Sequence, residues 1–127
     1  MISLEFDEVI EMHEKLINRT GGSHGIINAE LLKGALANPL QTFEGKDLYP
    51  SDIEKISVLT HSVINNHCMV DGNKRLGISL MGVLCRLNNI NITYTQSELI
   101  KLGLDTAEGK LDKKAISQWI VEHKGNK

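Results

Sequence analysis

Nine consecutive residues near the middle of the chain carry most of the side chains that could do chemistry. They run His67-Cys68-Met69-Val70-Asp71-Gly72-Asn73-Lys74-Arg75. A histidine has an ordinary pKa of about 6.5, so His67 can accept a proton from an attacking hydroxyl near neutral pH. Asp71 offers the hard oxygen ligands that Mg²⁺ prefers. These two residue types suit an acid–base reaction beside a metal ion.

The second half of this segment is suited to binding an anion. Gly72 lets the backbone turn tightly and approach a ligand closely. Asn73, Lys74 and Arg75 then fall in the first turn of a predicted helix, where unpaired backbone N–H groups and the helix dipole favour negative charge. Lys74 adds a point charge, and Arg75 adds a planar fork that matches phosphate oxygens. This is the equipment for transferring a phosphate-containing group to a hydroxyl.

Capping and breaking residues predict helices on both sides of the segment. We expect Asp7 to cap a first helix that stops at Gly21-Gly22, and Asn28 to cap a second that ends before Pro39. Residues 40–50 are expected to form an irregular loop. Three further helices are predicted to begin at Ser51-Asp52-Ile53-Glu54, at Thr95-Gln96-Ser97-Glu98 and at Asp112.

The helix after Gly72 has the strongest apolar pattern in the chain. Apolar residues occupy nearly all of its sides, namely Leu76, Ile78, Leu80, Met81, Val83, Leu84 and Leu87. Such a pattern predicts a central helix that is buried on most of its faces. Aromatic residues make up only 4% of the chain, which favours packed helices over a β-sandwich. We therefore expect an all-α fold of five or six helices, in a single domain over residues 1–127.

Composition and charge narrow the classes of function. The formal net charge is −2, with both signs interspersed, so a helical repressor is disfavoured and no direct nucleic-acid binding is expected. The sequence shows neither a leader peptide nor an apolar run long enough to span a bilayer. The two cysteines, Cys68 and Cys85, are expected to be free thiols. These features predict a cytoplasmic protein with no membrane association.

Two other chemistries could use the same residues, and both are weaker. A metallohydrolase would need His61, His67 and Asp71, but a spacing of six residues does not put the two histidines on one helical face. Cys68 as a nucleophile beside His67 is disfavoured because adjacent side chains rarely face each other productively. Asp71-Gly72-Asn73 alone is a common turn and helix cap. The hypothesis therefore depends on the order of all nine residues.

That order resembles the signature of the Fic/Doc family, His-x-Phe-x-(Asp/Glu)-Gly-Asn-x-Arg. The lysine before the arginine is similar to the Doc (death-on-curing) branch of the family. The resemblance continues over four other segments, namely residues 21–26, 31–38, 42–50 and 107–109. It implies a Fic/Doc-type helical bundle and a transferase that uses ATP and Mg²⁺.

The resemblance also implies a role for each matched residue. His67 resembles the catalytic base, and Asp71 resembles the carboxylate that holds Mg²⁺. The implied anion-binding hole consists of Gly72, Asn73, Lys74 and Arg75, with Arg75 also serving catalysis. The flap that docks the backbone of the target protein is implied at Thr42, Phe43, Glu44, Gly45, Lys46 and Asp47.

Three residues depart from the family pattern. Met69 stands where the family has a phenylalanine that anchors the loop in the core, and methionine can fill that place with less rigidity. Leu76 replaces the usual threonine, which we expect to remove a hydroxyl near the phosphates. Cys68 stands where many members have proline, so the loop is expected to be less fixed.

By resemblance, the chain is a toxin of a toxin–antitoxin pair. It would transfer phosphate from ATP to a hydroxyl of a protein in translation, such as elongation factor Tu, and so arrest growth. The first alternative is transfer of AMP, because most Fic enzymes are adenylyltransferases, although they carry a glycine where this chain has the bulkier, charged Lys74. The second alternative is an inactive, degenerate member.

Many Fic proteins inhibit themselves with a helix that reads (Ser/Thr)-x-x-x-Glu-(Gly/Asn). The two Glu-Gly pairs of this chain do not fit, because Leu40 lies four residues before Glu44 and Leu104 lies four residues before Glu108. The resemblance therefore implies inhibition in trans by a separate, Phd-like antitoxin. Its disordered tail would fold as a helix into a groove on the toxin.

Overall fold

The computed structural model describes residues 1–125, which form six α-helices and one short hairpin. The helices are α1 (Phe6–Thr20), α2 (Ala29–Ala37), α3 (Asp52–Asn65), α4 (Asn73–Leu87), α5 (Gln96–Ala107) and α6 (Lys113–Glu122). A 3₁₀ turn, Asn38–Leu40, follows α2, and the strands are β1 (Thr42–Phe43) and β2 (Lys46–Asp47). The predicted all-α fold class is confirmed. None of these helices is long and apolar enough to cross a bilayer.

Side-chain caps begin most of the helices where the sequence predicts. The confirmed N-caps are Asn28, Ser51, Thr95 and Asp112, each of which accepts a backbone N–H from the first turn. The prediction for α1 was wrong, because the helix begins after Glu5 rather than Asp7. The Glu8 carboxylate accepts the backbone N–H of Glu5 at 2.8 Å, and the helix is capped two residues ahead of the predicted position.

The most buried helix is α3, and α4, which is predicted to be buried on most of its faces, has only three exposed residues, namely Lys74, Arg86 and Leu87. Nine of the 14 residues of α3 are buried, whereas six of the 15 residues of α4 are buried, and Leu87 at the end of α4 is 38% exposed. The hydroxyls of Ser57 and Thr60 donate to the carbonyls of Ile53 and Ile56 at 2.7 and 2.8 Å. Because these polar side chains are satisfied within their own helix, they can be buried in the core.

Helices α3 and α4 approach each other closely at Gly77. A Cβ atom at this position would overlap the Ile64 side chain and lie 3.4 Å from the carbonyl oxygen of Thr60. Ile64 is itself only 2% exposed, so it has little room to move. This contact sets the spacing of the two helices that the segment His67 to Arg75 connects.

Part of the predicted irregular loop over residues 40–50 is an antiparallel hairpin. The pairs are Thr42 opposite Asp47 and Phe43 opposite Lys46. The turn residues Glu44 and Gly45 both have positive φ, 51° and 79°, which is the backbone conformation that two-residue hairpins prefer. The hairpin was missed because glutamate is not one of the usual first residues of such a turn, which are Asn, Asp and Gly.

We predict that Gly77→Ala destabilises the protein by about 1–3 kcal/mol, the usual cost of overpacking a core. Gly34→Ala is the matched control, because a Cβ atom at this mid-helix position of α2 would meet nothing within 4 Å. The control should stabilise the protein by about 0.5–1 kcal/mol, since alanine has the better helix propensity. Urea denaturation measures both effects. A stabilising Gly77→Ala would contradict the close contact between α3 and α4.

Candidate active site

The segment predicted to do chemistry connects α3 to α4 and surrounds one cavity of about 340 Å³. The lining residues are Ile64, His67, Val70, Asp71, Gly72, Asn73, Lys74, Arg75 and Ala107. The structure thus brings together every residue that the sequence nominates for the base, the metal ligand and the anion hole. The nominated flap residues 42–47 are not part of this lining. A larger groove of about 700 Å³ lies between α1, α4 and α5 and contains none of these nominated residues.

His67 follows the end of α3 and has left-handed backbone geometry, with φ of 50°. Such a residue commonly terminates a helix, and histidine is one of the non-glycine residues that tolerate this region. The side chain is exposed at the cavity. Its ring makes no hydrogen bond to any residue within 1–125. An unpaired imidazole in this position is available to a hydroxyl that enters the cavity.

The anion-binding character of the cavity comes from the N-terminus of α4. Gly72 precedes the helix with φ 76° and ψ 21°. The backbone N–H groups of Asn73, Lys74 and Arg75 have no acceptor in the described part of the chain. They form the positive end of the helix dipole, which favours an anion. The side chain of Lys74 is exposed and also lines the cavity.

The side chain of Asn73 has a different task from the one that the sequence suggests. Its amide donates to the Met69 carbonyl at 3.0 Å and accepts the Met69 N–H at 3.0 Å. Both ends of the amide are therefore used to hold the loop onto the start of α4. Asn73 can contribute its backbone N–H to an anion site, but its side chain is committed to the loop.

Asp71 is oriented by two backbone N–H groups. Its Oδ2 atom accepts from Ser23 at 3.2 Å, and its Oδ1 atom accepts from Gly72 at 2.8 Å. The Arg75 guanidinium lies 3.5 Å from Oδ1. The bond from Ser23, then the bond from Gly72 and the charge of Arg75 hold the pKa of the Asp71 carboxyl below its ordinary value. Asp71 is thus a fixed, ionised carboxylate at the edge of the cavity.

Arg75 is held by the C-terminal end of α1, a contact that the sequence did not predict. Its Nη1 atom donates to the Thr20 hydroxyl at 2.5 Å and to the Gly21 carbonyl at 2.8 Å. The carbonyl end of a helix attracts a cation, so this is a favourable place for the guanidinium. Since arginine has five N–H donors, some remain for an anion in the cavity. The only sequence signal was the Gly21-Gly22 pair that ends α1.

Residues 22–28 lie along the loop and hold its backbone. The Ile27 and Asn28 N–H groups donate to the Cys68 carbonyl at 2.7 and 3.1 Å, and the Val70 N–H donates to the Gly25 carbonyl at 3.1 Å. Residues 21–26 resemble the family in sequence, but the resemblance implied no role for this segment. Its bonds are made by backbone atoms, which no residue pattern reveals.

The structure shows where the three departures from the family pattern lie. Met69 is 1% exposed and belongs to the core, so it fills the place of the family phenylalanine. Leu76 is also fully buried in the core. The expectation that its substitution removes a hydroxyl beside the phosphates was wrong, because the side chain points away from the cavity. The Cys68 backbone is fixed by the bonds from residues 27 and 28 despite the missing proline.

The two weaker chemistries gain no support from the geometry. Within residues 1–125, no three His, Cys, Asp or Glu side chains are close enough together to hold a metal ion by themselves. The set His61, His67 and Asp71 is therefore not a metal centre of its own. Burial raises the pKa of the Cys68 thiol, which disfavours the thiolate that a nucleophile needs. Burial also raises the pKa of Cys85, to about 11.

The comparisons with known proteins agree with the fold and with the order of the loop residues. A family model described as the Fic/DOC family matches residues 3–85, well over half of the chain. The chain belongs to the Fic/DOC family. It is 33% identical over 72 residues to a protein named Toxin Doc from Mycolicibacterium smegmatis. The match covers 57% of this chain and 55% of that relative, so it spans about half of the relative's length.

The lowered pKa of Asp71 makes the stability of the folded protein depend on pH. Since the folded-state pKa lies below the ordinary value of about 3.9, ionised Asp71 favours the folded state above that pH. The contribution is lost as the pH falls through the folded-state pKa. A change that removes the hydrogen bond from Ser23 should therefore raise the pKa of Asp71. The protein should then lose less stability as the pH becomes acidic.

We predict that Gly22→Ala raises the pKa of Asp71. A Cβ atom at Gly22 would lie 2.6 Å from the Asp71 Oδ2 atom and would push the carboxylate off the Ser23 N–H. Gly21→Ala is the matched control, since Gly21 also has positive φ but its Cβ atom would meet nothing within 4 Å. NMR titration of the aspartate carboxyl carbons measures the pKa in both variants. An equal shift in both would mean that backbone strain, rather than the contact, is responsible.

Proposed function

We propose that the chain is a Doc-like toxin that transfers phosphate from ATP to a hydroxyl of a target protein. The observation that carries the proposal is the convergence of His67, Asp71 and the N-terminus of α4 on one cavity. Membership of the Fic/DOC family and the similarity to Toxin Doc support the same class of activity. The chain would act as a protein-modifying transferase.

The residues around the cavity suit the triphosphate of a nucleotide. The three free N–H groups at the start of α4 and the exposed Lys74 offer donors to phosphate oxygens, and Arg75 has donors to spare. Mg²⁺ is usually held by one or two carboxylates together with substrate phosphates and water. Asp71 is the single carboxylate that residues 1–125 contribute to the lining, so it could hold Mg²⁺ in this way. When bound, Mg²⁺ would supply neutralising charge for the phosphates.

His67 is proposed as the general base. The target hydroxyl gives its proton to the unpaired imidazole while its oxygen bonds to the phosphorus, and the bond from phosphorus to the leaving ADP oxygen breaks. The guanidinium of Arg75 and the α4 N–H groups would stabilise the negative charge of the transferred group. His67 then passes its proton to solvent. The cavity residues thus supply a base and electrostatic stabilisation.

The hairpin of residues 42–47 is proposed to dock the target, although it does not line the cavity. Phe43 is 67% exposed, which makes it available to a partner. An extended peptide can pair with an exposed strand edge through its backbone. The proposed target is a component of translation, for which elongation factor Tu is the first candidate to examine.

Isotope-labelled ATP tests the function directly. We expect a bacterial lysate incubated with this protein, Mg²⁺ and γ-labelled ATP to yield one labelled protein, whereas α-labelled ATP should yield none. Lys74 is the reason, because its bulk and charge at the cavity favour the γ-phosphate at the nucleophile. Lys74→Gly should therefore lose γ-label transfer. Transfer of the α label by the unaltered protein would establish the AMP alternative, and no transfer of either label would indicate a degenerate member.

His67→Ala is predicted to reduce transfer by about 10²–10⁴-fold, the usual effect of losing a general base. The fold should be unaffected, because the His67 ring makes no hydrogen bond within residues 1–125. His24→Ala is the control, since His24 is exposed and does not line the cavity. Rates of label transfer and circular dichroism spectra compare the two variants. A folded His67→Ala protein with the parental rate would show that the base is another group.

Control by a separate antitoxin is the second part of the proposal. It is supported by the similarity to Toxin Doc and by the lack of the self-inhibiting pattern at Glu44 and Glu108. We predict that expression of this chain alone arrests bacterial growth. Co-expression with the small reading frame beside its gene should restore growth. Growth curves and co-purification measure this. Equal arrest in both cultures would contradict control by that neighbour.

A further inference from the structure

A buried histidine outside the Fic/DOC signature contacts the active-site loop. His13, in α1, is 2% exposed, and its Nε2 atom lies 2.8 Å from the carbonyl oxygen of Asp71. A carbonyl oxygen only accepts hydrogen bonds, so Nε2 must carry the hydrogen. His13 lies on the buried face of α1, with Val9, Leu16 and Ile17. The structure shows that its polar edge meets the backbone between the proposed metal ligand and the start of α4.

The peptide unit between Asp71 and Gly72 has both of its polar groups bonded. Its carbonyl accepts from His13, on the α1 side, and its N–H donates to the Asp71 Oδ1 atom at 2.8 Å. The N–H thereby holds the carboxylate in place. If this peptide unit rotated by half a turn, the N–H would leave the carboxylate and the carbonyl would take its place. The orientation of one peptide unit therefore determines how Asp71 presents its oxygens.

The backbone alone offers little resistance to that rotation. Rotating a peptide unit changes mainly the ψ angle of the residue before it and the φ angle of the residue after it. Gly72 populates positive and negative φ about equally well, since it has no Cβ atom. A Cβ atom at Gly72 would also be crowded, because it would lie 3.1 Å from the Ile17 Cδ1 atom. Gly72 therefore allows the tight turn, but it also leaves the Asp71–Gly72 peptide unit free to rotate.

We propose that His13 is a positioning residue that locks the Asp71–Gly72 peptide unit and so orients the Asp71 carboxylate. Its effect on activity rests on the proposed function, in which Asp71 holds Mg²⁺, whereas its effect on the loop does not. The proposal explains why α1 carries a histidine among the buried residues Val9, Leu16 and Ile17. A buried polar group is costly unless it is hydrogen-bonded, and this bond satisfies it.

The first test uses the unaltered protein. Long-range ¹H–¹⁵N NMR spectra distinguish the two imidazole tautomers, and we expect His13 to carry its hydrogen on Nε2. A His13 ring protonated only on Nδ1 would overturn the proposal, because Nε2 could not then donate to the Asp71 carbonyl. This measurement needs neither activity nor a variant that folds.

The second test compares two substitutions in the absence of nucleotide. His13→Gln can place an N–H donor near the same carbonyl, whereas His13→Leu cannot. Val9→Ala is the control for a general loss of packing in α1, since Val9 is fully buried. We expect the Gly72 amide to exchange faster with solvent or to show two signals in His13→Leu only. A Gly72 amide that behaves alike in all three variants and the parent would overturn the lock.

The third measurement connects the lock to the proposed chemistry. With ATP and a lysate, His13→Leu should need about 10- to 100-fold more Mg²⁺ for half-maximal transfer, the usual effect of losing a group that orients a metal ligand. The KM for the target protein should not change, and His13→Gln should recover the parental Mg²⁺ requirement. Unchanged Mg²⁺ dependence with an altered Gly72 amide would leave the lock intact but refute its link to metal binding. A parent that transfers nothing would instead refute the proposed function, while the two NMR tests would still decide the lock.

Discussion

Gly72 has left-handed backbone geometry at the start of α4. A Cβ atom at this position would lie within 4 Å of the side chains of Ile17, His13 and Arg75. This turn leaves the first N–H groups of α4 without backbone acceptors and points them at a cavity. It also lets α1 pack closely against the loop, because a Cβ atom at Gly72 would lie only 3.1 Å from the Ile17 side chain. The anion-binding character of the site and the packing of α1 therefore depend on the same turn.

The loop from His67 to Arg75 is held from three directions. Asn73 fixes Met69 from α4, residues 25–28 bond to the loop backbone, and the end of α1 holds Arg75. Most of these bonds end on backbone atoms, so they constrain the shape of the loop and leave the side chains of His67 and Lys74 free. A base that must meet an external hydroxyl benefits from this division between a fixed backbone and an accessible side chain.

Polar side chains are buried in the core of this protein where they are hydrogen-bonded. Helix α3 buries the hydroxyls of Ser57 and Thr60, and each of these two hydroxyls donates to a carbonyl of its own helix. Helix α4 is more uniformly apolar but presents its first turn to the cavity and its end to solvent. An apolar pattern predicts the burial of a helix from the hydrophobicity of its side chains. In the folded protein, a polar side chain can also be buried when it has a hydrogen-bond partner.

Local sequence was sufficient for several features of this protein. Caps such as Ser51 and Asp112 start helices through bonds that span three residues, and the order of His67, Asp71 and Gly72 predicts their convergence because the loop is short. The tertiary structure alone decided that α3 is buried more than α4, that the Asn73 side chain bonds to the loop, and that Arg75 and the Asp71 carbonyl meet α1. Those contacts join residues more than fifty positions apart or use backbone atoms common to every residue. No local pattern of side chains encodes them, since they exist only after the helices have packed.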